Sequence, residues 1–237
     1  MTGRTGPMTA AEFQTLCNVS RETMDRLSGY VALLAKWNRR INLVSPRSLD
    51  DVWRRHILDS AQLLRHFPPA LEGRPPRLLD LGSGAGLPGL VLAALSDVEV
   101  HLAESDGRKV VFLQEAARQM GLAPRIHAAR IESLEDLSFD IVTARALAPL
   151  PKLLTLAAPF LAVRGAESIP SCGLFLKGRE VAKEIVLAHK EWEMSVESLP
   201  SLSDPEGSIL RIQGLRPLVS PAARRDLMGV NRTLRKE

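Results

Sequence analysis

The sequence predicts an α/β fold, in which a mostly parallel sheet carries helices on both faces and is preceded by an N-terminal helical extension. Three observations predict it. Residues 1–66 show helical periodicity without a strand pattern, residues 67–77 are rich in proline, and short apolar strand candidates then alternate with helical segments. Such alternation is typical of a parallel sheet covered on both faces. We therefore expect a helical extension, a linker and a sheet domain spanning residues 78–237.

The helical extension contains three predicted helices. Thr9 and Glu12 have the spacing of a capping box and predict the start of the first helix. The run Ser48-Leu49-Asp50-Asp51 predicts the start of the third helix. Apolar residues recur every three or four positions, as on the buried side of a helix: Met24, Leu27, Val31 and Leu34 in the second, and Ile57, Leu58, Ala61 and Leu64 in the third.

A proline-rich linker separates the extension from the sheet domain. Residues 67–77 exclude a continuous helix because they contain Pro68, Pro69, Gly73, Pro75 and Pro76. Beyond the linker we predict strands at Arg77–Leu81, Val98–Ala103, Phe139–Thr143, Gly173–Lys177 and Ser208–Ile212, and helices at Gly89–Ala94, Gly107–Met120 and Val181–His189.

Composition sets weaker limits on function. A formal net charge of +4 is compatible with a polyanionic partner but does not require one. Hydrophobic residues make up 45% of the chain, which is ordinary for a globular protein. Two distant cysteines, Cys17 and Cys172, argue against a disulfide framework and for a reducing compartment. Met1–Ala10 lacks an apolar signal-peptide core and no run is long enough to span a membrane, so we expect a cytoplasmic protein without a membrane partner.

A glycine loop follows the first predicted strand and is the strongest sign of a ligand site. Gly82, Gly84 and Gly86 are spaced Gly-x-Gly-x-Gly, which allows a tight turn and a close approach of backbone to ligand. Dinucleotide-binding folds prefer Gly-x-Gly-x-x-Gly, where a helix N-terminus receives a pyrophosphate. S-adenosylmethionine has no phosphate, so its loop wraps an amino-acid tail instead. Taken alone, the glycines are equally consistent with a structural turn.

Glu104 favours the ligand-binding interpretation of the loop. It follows the second predicted strand, where a carboxylate can accept hydrogen bonds from both hydroxyls of a ribose. Taken alone, Glu104 would be interpreted as a solvated acid, but its position after a glycine loop favours nucleoside binding. The two features together predict a class I, Rossmann-like fold that binds S-adenosylmethionine.

The sequence lacks the catalytic residues and motifs that methylation of several kinds of acceptor atom requires. Carbon-5 of cytosine needs a cysteine nucleophile, and Cys172 is followed by Gly173 rather than by the usual proline. Adenine amines are usually held by an Asn/Asp-Pro-Pro-aromatic loop, and residues 143–149 do not have that pattern. Oxygen acceptors need a base or a metal, and no tight cluster of suitable residues is evident. Guanine N7 carries a free lone pair and needs no deprotonation, so these absences fit it.

Six sequence blocks resemble one family, the bacterial small-subunit ribosomal RNA guanine-N7 methyltransferases called RsmG, or glucose-inhibited division protein B. The blocks lie between residues 21 and 180 in the family's order. Two of them precede the glycine loop and are absent from generic methyltransferases. The blocks are Trp37–Leu43, Arg55–Ser60, Leu79–Gly89, Arg108–Leu113, Ala144–Ala146 and Leu176–Gly178.

This resemblance implies methyl transfer from S-adenosylmethionine to N7 of a guanine in the 16S rRNA loop near the decoding centre. It implies direct in-line attack by N7, with catalysis mainly by positioning. The implied partner is 16S rRNA or the 30S subunit, and no metal is implied. The implied cofactor site comprises Gly82, Leu87, Ile131, Glu132 and Arg145, and Arg145 is also the candidate catalytic residue.

Basic residues near the linker are candidates for RNA binding. Such a charge run is usually a solvated face, but beside a methyl-transfer site phosphate binding is at least as well supported. His56 shares a helix face with Asp59, either as a structural pair or as a substrate contact. Lys177 ends a predicted strand and is a candidate phosphate ligand, whereas Trp37 is expected in the core. The arginines in question are Arg39, Arg40, Arg47, Arg54 and Arg55, and a second basic group comprises Arg224, Arg225, Arg232, Arg235 and Lys236.

Three other functions compete with this interpretation. A nicotinamide oxidoreductase predicts Gly-x-Gly-x-x-Gly and a hydride-relay His or Tyr, neither of which is evident. A non-catalytic RNA-binding module predicts a degraded cofactor loop, yet the glycines and Glu104 are intact. A methyltransferase acting on another RNA or on a small molecule shares the core, although a small-molecule enzyme does not predict the arginine-rich extension.

Overall fold

The computed structural model of the chain describes residues 6–69, 73–134, 138–161 and 171–218. Its sheet has seven described strands: β1 (Arg77–Leu81), β2 (Glu99–Ala103), β3 (Arg125–His127), β4 (Ile141–Arg145), β5 (Cys172–Lys177), β6 (Trp192–Pro200) and β7 (Ser208–Pro217). Their order in the sheet is β3-β2-β1-β4-β5-β7-β6. β7 runs antiparallel to both neighbours, and the other pairings are parallel.

Helices cover both faces of this sheet. They are α1 (Ala10–Cys17), α2 (Arg21–Asn38), α3 (Asp59–Ala61), α4 (Gly89–Leu95), α5 (Gly107–Met120), α6 (Leu150–Leu161) and α7 (Val181–Ala188). The apolar layer on one face includes residues of α1, α2, α4 and α5, and the layer on the other face includes residues of α6 and α7. The predicted α/β fold with an N-terminal helical extension is therefore confirmed.

Local sequence signals explain where the regular helices begin and end. The predicted capping box is present at α1, where the Thr9 backbone N–H donates to Glu12 Oε2 over 2.8 Å and the Glu12 N–H donates to Thr9 Oγ1. At α5 the Asp106 carboxylate caps the first turn, and Gly121 ends the helix with φ of 63°. Both helices have the starts that their N-cap residues favour.

The third predicted helix is an irregular succession of short turns. A 3₁₀ turn at Pro46–Asp51 is followed by a π-helical turn at Trp53–Leu58, then by α3 and a second 3₁₀ turn at Gln62–His66. The prediction that the helix starts at Ser48 is wrong by two residues, because Pro46 occupies the first helical position, which its fixed φ favours. The Ser48 side chain is buried instead.

Other predicted boundaries agree within one residue, apart from those of two strands. β4 spans Ile141–Arg145 rather than Phe139–Thr143, and just before it the Asp140 carboxylate accepts the Arg77 backbone N–H over 2.7 Å. β7 continues beyond Ile212 to Pro217 because it pairs with β6 along that length.

Three elements of the fold have no counterpart in the sequence prediction. β3 is only three residues long, too short to show a period. β6 is an edge strand that buries Trp192 and is otherwise exposed or only partly buried. α6 contains Pro151 and Pro159, which weigh against a helix in the sequence, but they fall in its first and last turns. Proline is tolerated in a first turn because the N–H there has no partner within the helix.

The helical extension shares one apolar layer with the sheet domain. Leu27 and Leu34 of α2 are fully buried in the same cluster as Leu78 of β1 and Phe112 of α5. Tyr30 adds a polar link, since its fully buried hydroxyl donates to the Ala85 carbonyl over 2.7 Å. The extension therefore supports the glycine loop directly. Of the predicted linker, the structure describes residues 67–69 and 73–77, and β1 already begins at Arg77.

Replacing Tyr30 with phenylalanine is expected to lower the free energy of unfolding by about 1–3 kcal/mol, because the buried Ala85 carbonyl loses its donor. The affinity for S-adenosylmethionine, the cofactor that the sequence predicts, should fall as well. Denaturant unfolding and calorimetric titration measure the two effects. Thr155→Val is the control for hydroxyl loss away from the loop, because it removes an exposed hydroxyl–carbonyl hydrogen bond in α6 on the opposite face. Lost stability with unchanged cofactor affinity would show that Tyr30 does not set the loop geometry.

Candidate functional site

The candidate site lies at the carboxyl edge of the sheet, between β1 and β4. These two strands are neighbours, with Leu81 paired to Ala144, while β2 lies on the other side of β1. The chain therefore changes direction across the sheet at this point. In open parallel sheets such a switch point leaves a crevice outside the strand ends, where ligands bind.

The glycine loop begins directly after β1 and has the backbone that its sequence requires. Gly82, Gly84 and Gly86 have φ of 64°, 56° and 81°, the left-handed region that favours glycine. A Cβ at Gly82 would lie 2.6 Å from Leu147 Cδ1, and a Cβ at Gly86 would collide with Leu90. At Gly84 the nearest atom to such a Cβ would be the Gly82 carbonyl oxygen at 3.8 Å. The space at Gly84 is therefore open, as a ligand cradle requires.

Asp80 fixes the start of the loop from inside the protein. Its carboxylate accepts the Gly89 backbone N–H over 3.2 Å and the Thr143 hydroxyl over 2.9 Å. The Ser83 hydroxyl donates to the Asp80 carbonyl. Complete burial raises the pKa of Asp80 to about 6, although these hydrogen bonds oppose the shift. Asp80 thus joins β1, β4 and the start of α4 around the loop.

Glu104 contacts the loop from the end of β2. One carboxylate oxygen accepts the Gly84 N–H over 2.9 Å and the other accepts the Asp106 N–H over 2.8 Å. The residue is 8% exposed, and its backbone N–H donates to the His127 carbonyl at the end of β3. A carboxylate oxygen accepts more than one hydrogen bond, so Glu104 retains acceptor capacity for ligand hydroxyls. This donor–acceptor arrangement fits the nucleoside part of S-adenosylmethionine.

The remaining implied cofactor residues lie around the same edge of the sheet. Leu87 is buried directly after the glycine loop, and Ile131 and Glu132 form a short turn beyond β3. Ile131 packs against the apolar layer, and Glu132 is exposed. Arg145 ends β4 beside the loop, close enough for its charge to lower the pKa of the buried Asp80, and its hydrogen bonds are to the helical extension. The structure therefore brings the glycine loop and Glu104 into direct contact, and Arg145 lies at the same edge of the sheet.

Arg145 joins the end of β4 to the irregular helical segment. Its guanidinium donates to His56 Nδ1 over 2.8 Å and to the Arg55 carbonyl over 3.1 Å, and it lies 3.4 Å from Asp59 Oδ2. The Arg145 and Asp59 side chains are each 17% exposed. This contact attaches the extension to the sheet edge beside the glycine loop.

His56 is part of this cluster, but it does not pair with Asp59. Its Nδ1 faces Arg145 and its Nε2 lies 2.8 Å from Ser48 Oγ. Because an arginine can only donate, Nδ1 must accept and Nε2 must carry the proton. Burial and then the charge of Arg145 lower the pKa of His56 to about 3. His56 is therefore neutral, with one tautomer set by its neighbours.

Asp59 makes its contacts with another part of the chain. It accepts the Ser203 hydroxyl over 2.5 Å and an amide hydrogen of Gln62 over 3.1 Å. Burial raises the pKa of Asp59, while the charge of Arg145 and the Ser203 hydrogen bond oppose that rise. Asp59 thus connects the extension to the turn between β6 and β7.

An open cavity of about 570 Å³ lies over this cluster. We call it the acceptor cavity. Residues 42–46 and Arg55 of the extension form one side, and Arg145 and Ala146 after β4 form another. The turn between β6 and β7 contributes Asp204. The cavity is next to the glycine loop, because Leu147 packs against Gly82. It offers both donors and carboxylate acceptors to a ligand.

The structure separates the basic residues that the sequence groups together. Arg55 is exposed and lines the acceptor cavity. Arg54 instead pairs with Asp51 at 3.6 Å and donates to the Gly6 carbonyl over 2.9 Å. Lys177 is an internal ion-pair partner rather than a free phosphate ligand, because its side chain is 8% exposed and its ammonium lies 2.6 Å from Glu184 and donates to the Ala148 carbonyl. The exposed arginines Arg39, Arg40 and Arg47 make no ion pair within the described residues.

Sequence reasoning missed several residues of the site. Asp80 had a signal, namely a carboxylate inside an apolar strand run. Tyr30 and Asp204 had none, because their roles depend on contacts between distant segments. The second basic group, Arg224, Arg225, Arg232, Arg235 and Lys236, lies outside the described residues.

No group of three His, Cys, Asp or Glu side chains in the described ranges is arranged to hold a metal ion. No helix of the described part of the chain combines the length and apolarity needed to cross a bilayer.

Sequence comparisons give a consistent picture. A family model described as rRNA small subunit methyltransferase G matches residues 23–210. The ribosomal RNA small subunit methyltransferase G of Rhodospirillum rubrum is 54% identical over 206 residues, which cover 86% of this chain and 97% of that protein. The protein of the same name from Parvibaculum lavamentivorans is 49% identical over 209 residues, which cover 86% of this chain and 88% of that protein.

Solved structures with little sequence identity share the fold. The magnesium protoporphyrin IX methyltransferase of Synechocystis PCC 6803 with bound S-adenosylmethionine has a TM-score of 0.51 at 14% identity, covering 82% of this chain and 97% of that one. A mutant of MtNAS in complex with S-adenosylmethionine has a TM-score of 0.52 at 13% identity, covering 87% and 84%. At these identities the likeness supports the class I fold alone.

His56 gives a pH dependence of stability that can be measured. Below its ordinary pKa of 6.5 the unfolded chain binds a proton that the folded chain does not bind until about pH 3. Stability should therefore fall as pH falls through this window, by up to about 1.4 kcal/mol per pH unit from this residue. Replacing His56 with glutamine should reduce the slope of unfolding free energy against pH by about one proton. His189→Gln, at an exposed position, controls for the substitution, and an unchanged slope in the His56 variant would contradict the neutral assignment.

Proposed function

This chain belongs to the rRNA small subunit methyltransferase G family, and we propose that it methylates N7 of a guanine in the 16S rRNA loop near the decoding centre. As a member of that family it is an S-adenosylmethionine-dependent methyltransferase whose substrate is small-subunit ribosomal RNA. The observation that carries the finer proposal is the acceptor cavity, which opens beside the glycine loop between Arg145 and the helical extension.

The glycine loop and Glu104 hold the cofactor in this proposal. Gly84 supplies open space beside a backbone that Glu104 orients, and Leu87 closes the end of the loop. The short turn of Ile131 and Glu132 lies beyond β3, on the side of Glu104. Bound there, S-adenosylmethionine would supply an electrophilic methyl group to the acceptor lone pair, and the electrons of the broken carbon–sulfur bond would stay on sulfur.

Guanine N7 suits the chemistry of the acceptor cavity. Its lone pair is free at neutral pH, so the chain needs no general base. His56 remains neutral and bound at both ring nitrogens, so it is a positioning residue here rather than a proton acceptor. Methylated N7 leaves a positive charge on the base, and the carboxylates of Asp59 and Asp204 lie at the same cavity. Catalysis would then come mainly from alignment of acceptor and methyl group.

Arg145 acts in this proposal by shaping the acceptor cavity. It orients His56 and the Arg55 backbone, and through them the wall formed by the extension. The residues of the extension up to residue 66 form the RNA-contact region, with the exposed side chain of Arg55 at the mouth of the cavity. The segment that follows α2 carries three more exposed arginines, Arg39, Arg40 and Arg47. They extend the positively charged surface beyond the mouth of the acceptor cavity. The substrate that we propose is 16S rRNA, free or within the 30S subunit, in the cytoplasm.

Loss of this protein from its cell should remove one N7-methylguanine from 16S rRNA. Mass spectrometry of nuclease digests maps the modification. The wild-type gene should restore it, whereas Gly84→Ala should not, because the new methyl group would occupy the open space of the cofactor cradle.

Gly214→Ala is the matched control for that variant. Gly214 has a similar φ of 62° and open surroundings, but it lies in β7 away from the loop, so the backbone strain is the same. Unaltered 16S rRNA in the deletion strain would overturn the proposal. Full restoration by Gly84→Ala would remove the loop from the cofactor site.

Adjacent arginines allow the RNA contact to be tested by pairwise comparison. Arg55→Ala should flatten the slope of log affinity against log salt by about 0.7–0.9, the value for one phosphate contact. Arg54→Ala should change it less, because Arg54 already pairs with Asp51. Binding of 16S rRNA at several salt concentrations gives both slopes. Equal slopes for the two variants and the wild type would show that Arg55 is only solvated charge.

A further inference from the structure

A second cavity lies at the same edge of the molecule, between the ends of two helices. The last turn of α2 and the residues after it meet the first turns of α5 around a volume of about 280 Å³. Six residues line it, and we call it the basic cavity: Lys36, Trp37, Arg40, Ile41, Arg108 and Val111. The loop glycines, Leu87 and Glu104 are not among them, so it is distinct from the proposed cofactor site.

The floor of the basic cavity is apolar although it faces solvent. Trp37 packs edge-on against Phe112, with ring centroids 5.6 Å apart, and its remaining surface is available to the cavity. Val111 is 52% exposed, which is high for a large aliphatic side chain in an amphipathic helix. Ile41 completes the floor. A floor of this kind fits a flat, weakly polar group such as a nucleobase.

The rim of the basic cavity carries three cations, which outnumber the carboxylates near it among the described residues, since Asp106 pairs with Arg108 and only Glu115 lies within electrostatic reach of Lys36. Lys36 and Arg40 are exposed, and no ion pair to either is present within the described residues. Arg108 is 76% exposed and is balanced by Asp106 at 3.2 Å. The carboxylate of Glu115, one turn further along α5, is held by Arg118 at 2.7 Å. A polyanion is therefore the occupant whose charge complements this rim.

One connection joins the basic cavity to the acceptor cavity. The Asn38 side chain accepts the backbone N–H groups of Leu43 and Val44 over 2.9 Å and 3.0 Å, and its amide donates to the Val44 carbonyl. These three hydrogen bonds hold residues 38–44 in a tight loop. Arg40 and Ile41 of the loop face the basic cavity, while residues 42–44 face the acceptor cavity. A single strand bound at one cavity can therefore continue to the other.

We propose that the basic cavity is a second RNA subsite, which takes a nucleotide of the same ribosomal RNA at a short distance from the methylated guanine. The base lies on Trp37, Ile41 and Val111, and its flanking phosphates contact Lys36 and Arg40. This subsite rests on the proposed function, since it concerns the RNA that enters the acceptor cavity. Its contribution is to binding and register, and the reacting atoms lie elsewhere.

Val111→Glu tests the apolar floor. The substitution places a carboxylate and extra bulk in the cavity at a half-exposed position, so the fold should be retained. We expect the KM for 30S subunits and the Kd for deproteinised 16S rRNA to rise at least about fivefold, the low end for loss of one stacked base. The kcat at saturating 30S and the affinity for S-adenosylmethionine should be unchanged. Val186→Glu is the matched control, at an exposed valine of α7 on the opposite face.

The rim is tested separately by replacing Lys36 and Arg40 with glutamine. Two lost phosphate contacts should flatten the salt dependence of RNA binding by about 1.4 for a single strand. The control pair is Arg179→Gln with Lys183→Gln, two exposed cations near α7. A wild-type slope in the Lys36 and Arg40 variant would overturn the phosphate contacts.

Three outcomes of the Val111 experiment would overturn the subsite. They are an unchanged KM, an equal loss in the Val186 control, and a loss for 30S subunits without a loss for deproteinised 16S rRNA. The third would assign the cavity to a ribosomal protein. Failure of the proposed function itself would look different, because wild-type protein would then transfer no methyl group to 16S rRNA.

Discussion

The left-handed backbone of the glycine loop is the constraint on which the rest of the site depends. Glycine tolerates this backbone but does not enforce it. The enforcement comes from Asp80 in β1, from Glu104 after β2 and from Tyr30 in α2, each of which makes a hydrogen bond to the loop or to its flanks. Because these anchors come from three segments, the loop reaches its final geometry only when strands and extension are assembled together.

A second polar cluster orients the extension on the sheet edge. Taking a guanidinium and a carboxylate out of water costs free energy that their attraction offsets only with good geometry. Arg145 meets that condition by donating to His56 and to a backbone carbonyl, while Asp59 is satisfied by Ser203 and Gln62. We therefore expect the cluster to add little to the free energy of unfolding. Its hydrogen bonds are satisfied in one orientation of the extension on the sheet, and that orientation places Arg55 beside the strand ends.

Much of the fold could be predicted from the sequence, because periodicity and glycine spacing are local signals. Gly107–Met120, for example, has an apolar stripe, an Asp cap and a terminal glycine, and the structure has the same helix. The partners of Arg145 could not be predicted in this way. His56 and Asp59 lie almost 90 residues before Arg145 and meet it only when the extension packs against the end of β4. No local sequence pattern indicates a contact between segments so far apart. Lys177 shows the same limit, since a lysine after a strand gives no sign of the Glu184 that neutralises it.

The apolar layer shared by extension and sheet restricts how such a chain can diversify. A recognition module on a free linker can be exchanged or duplicated while the catalytic domain stays intact. Here, removing the extension would expose Leu78 and Phe112 to water and leave the Ala85 carbonyl without its donor. The two parts therefore have to be kept together, whereas the solvent-facing arginines at residues 39–47 can be exchanged without disturbing that shared layer.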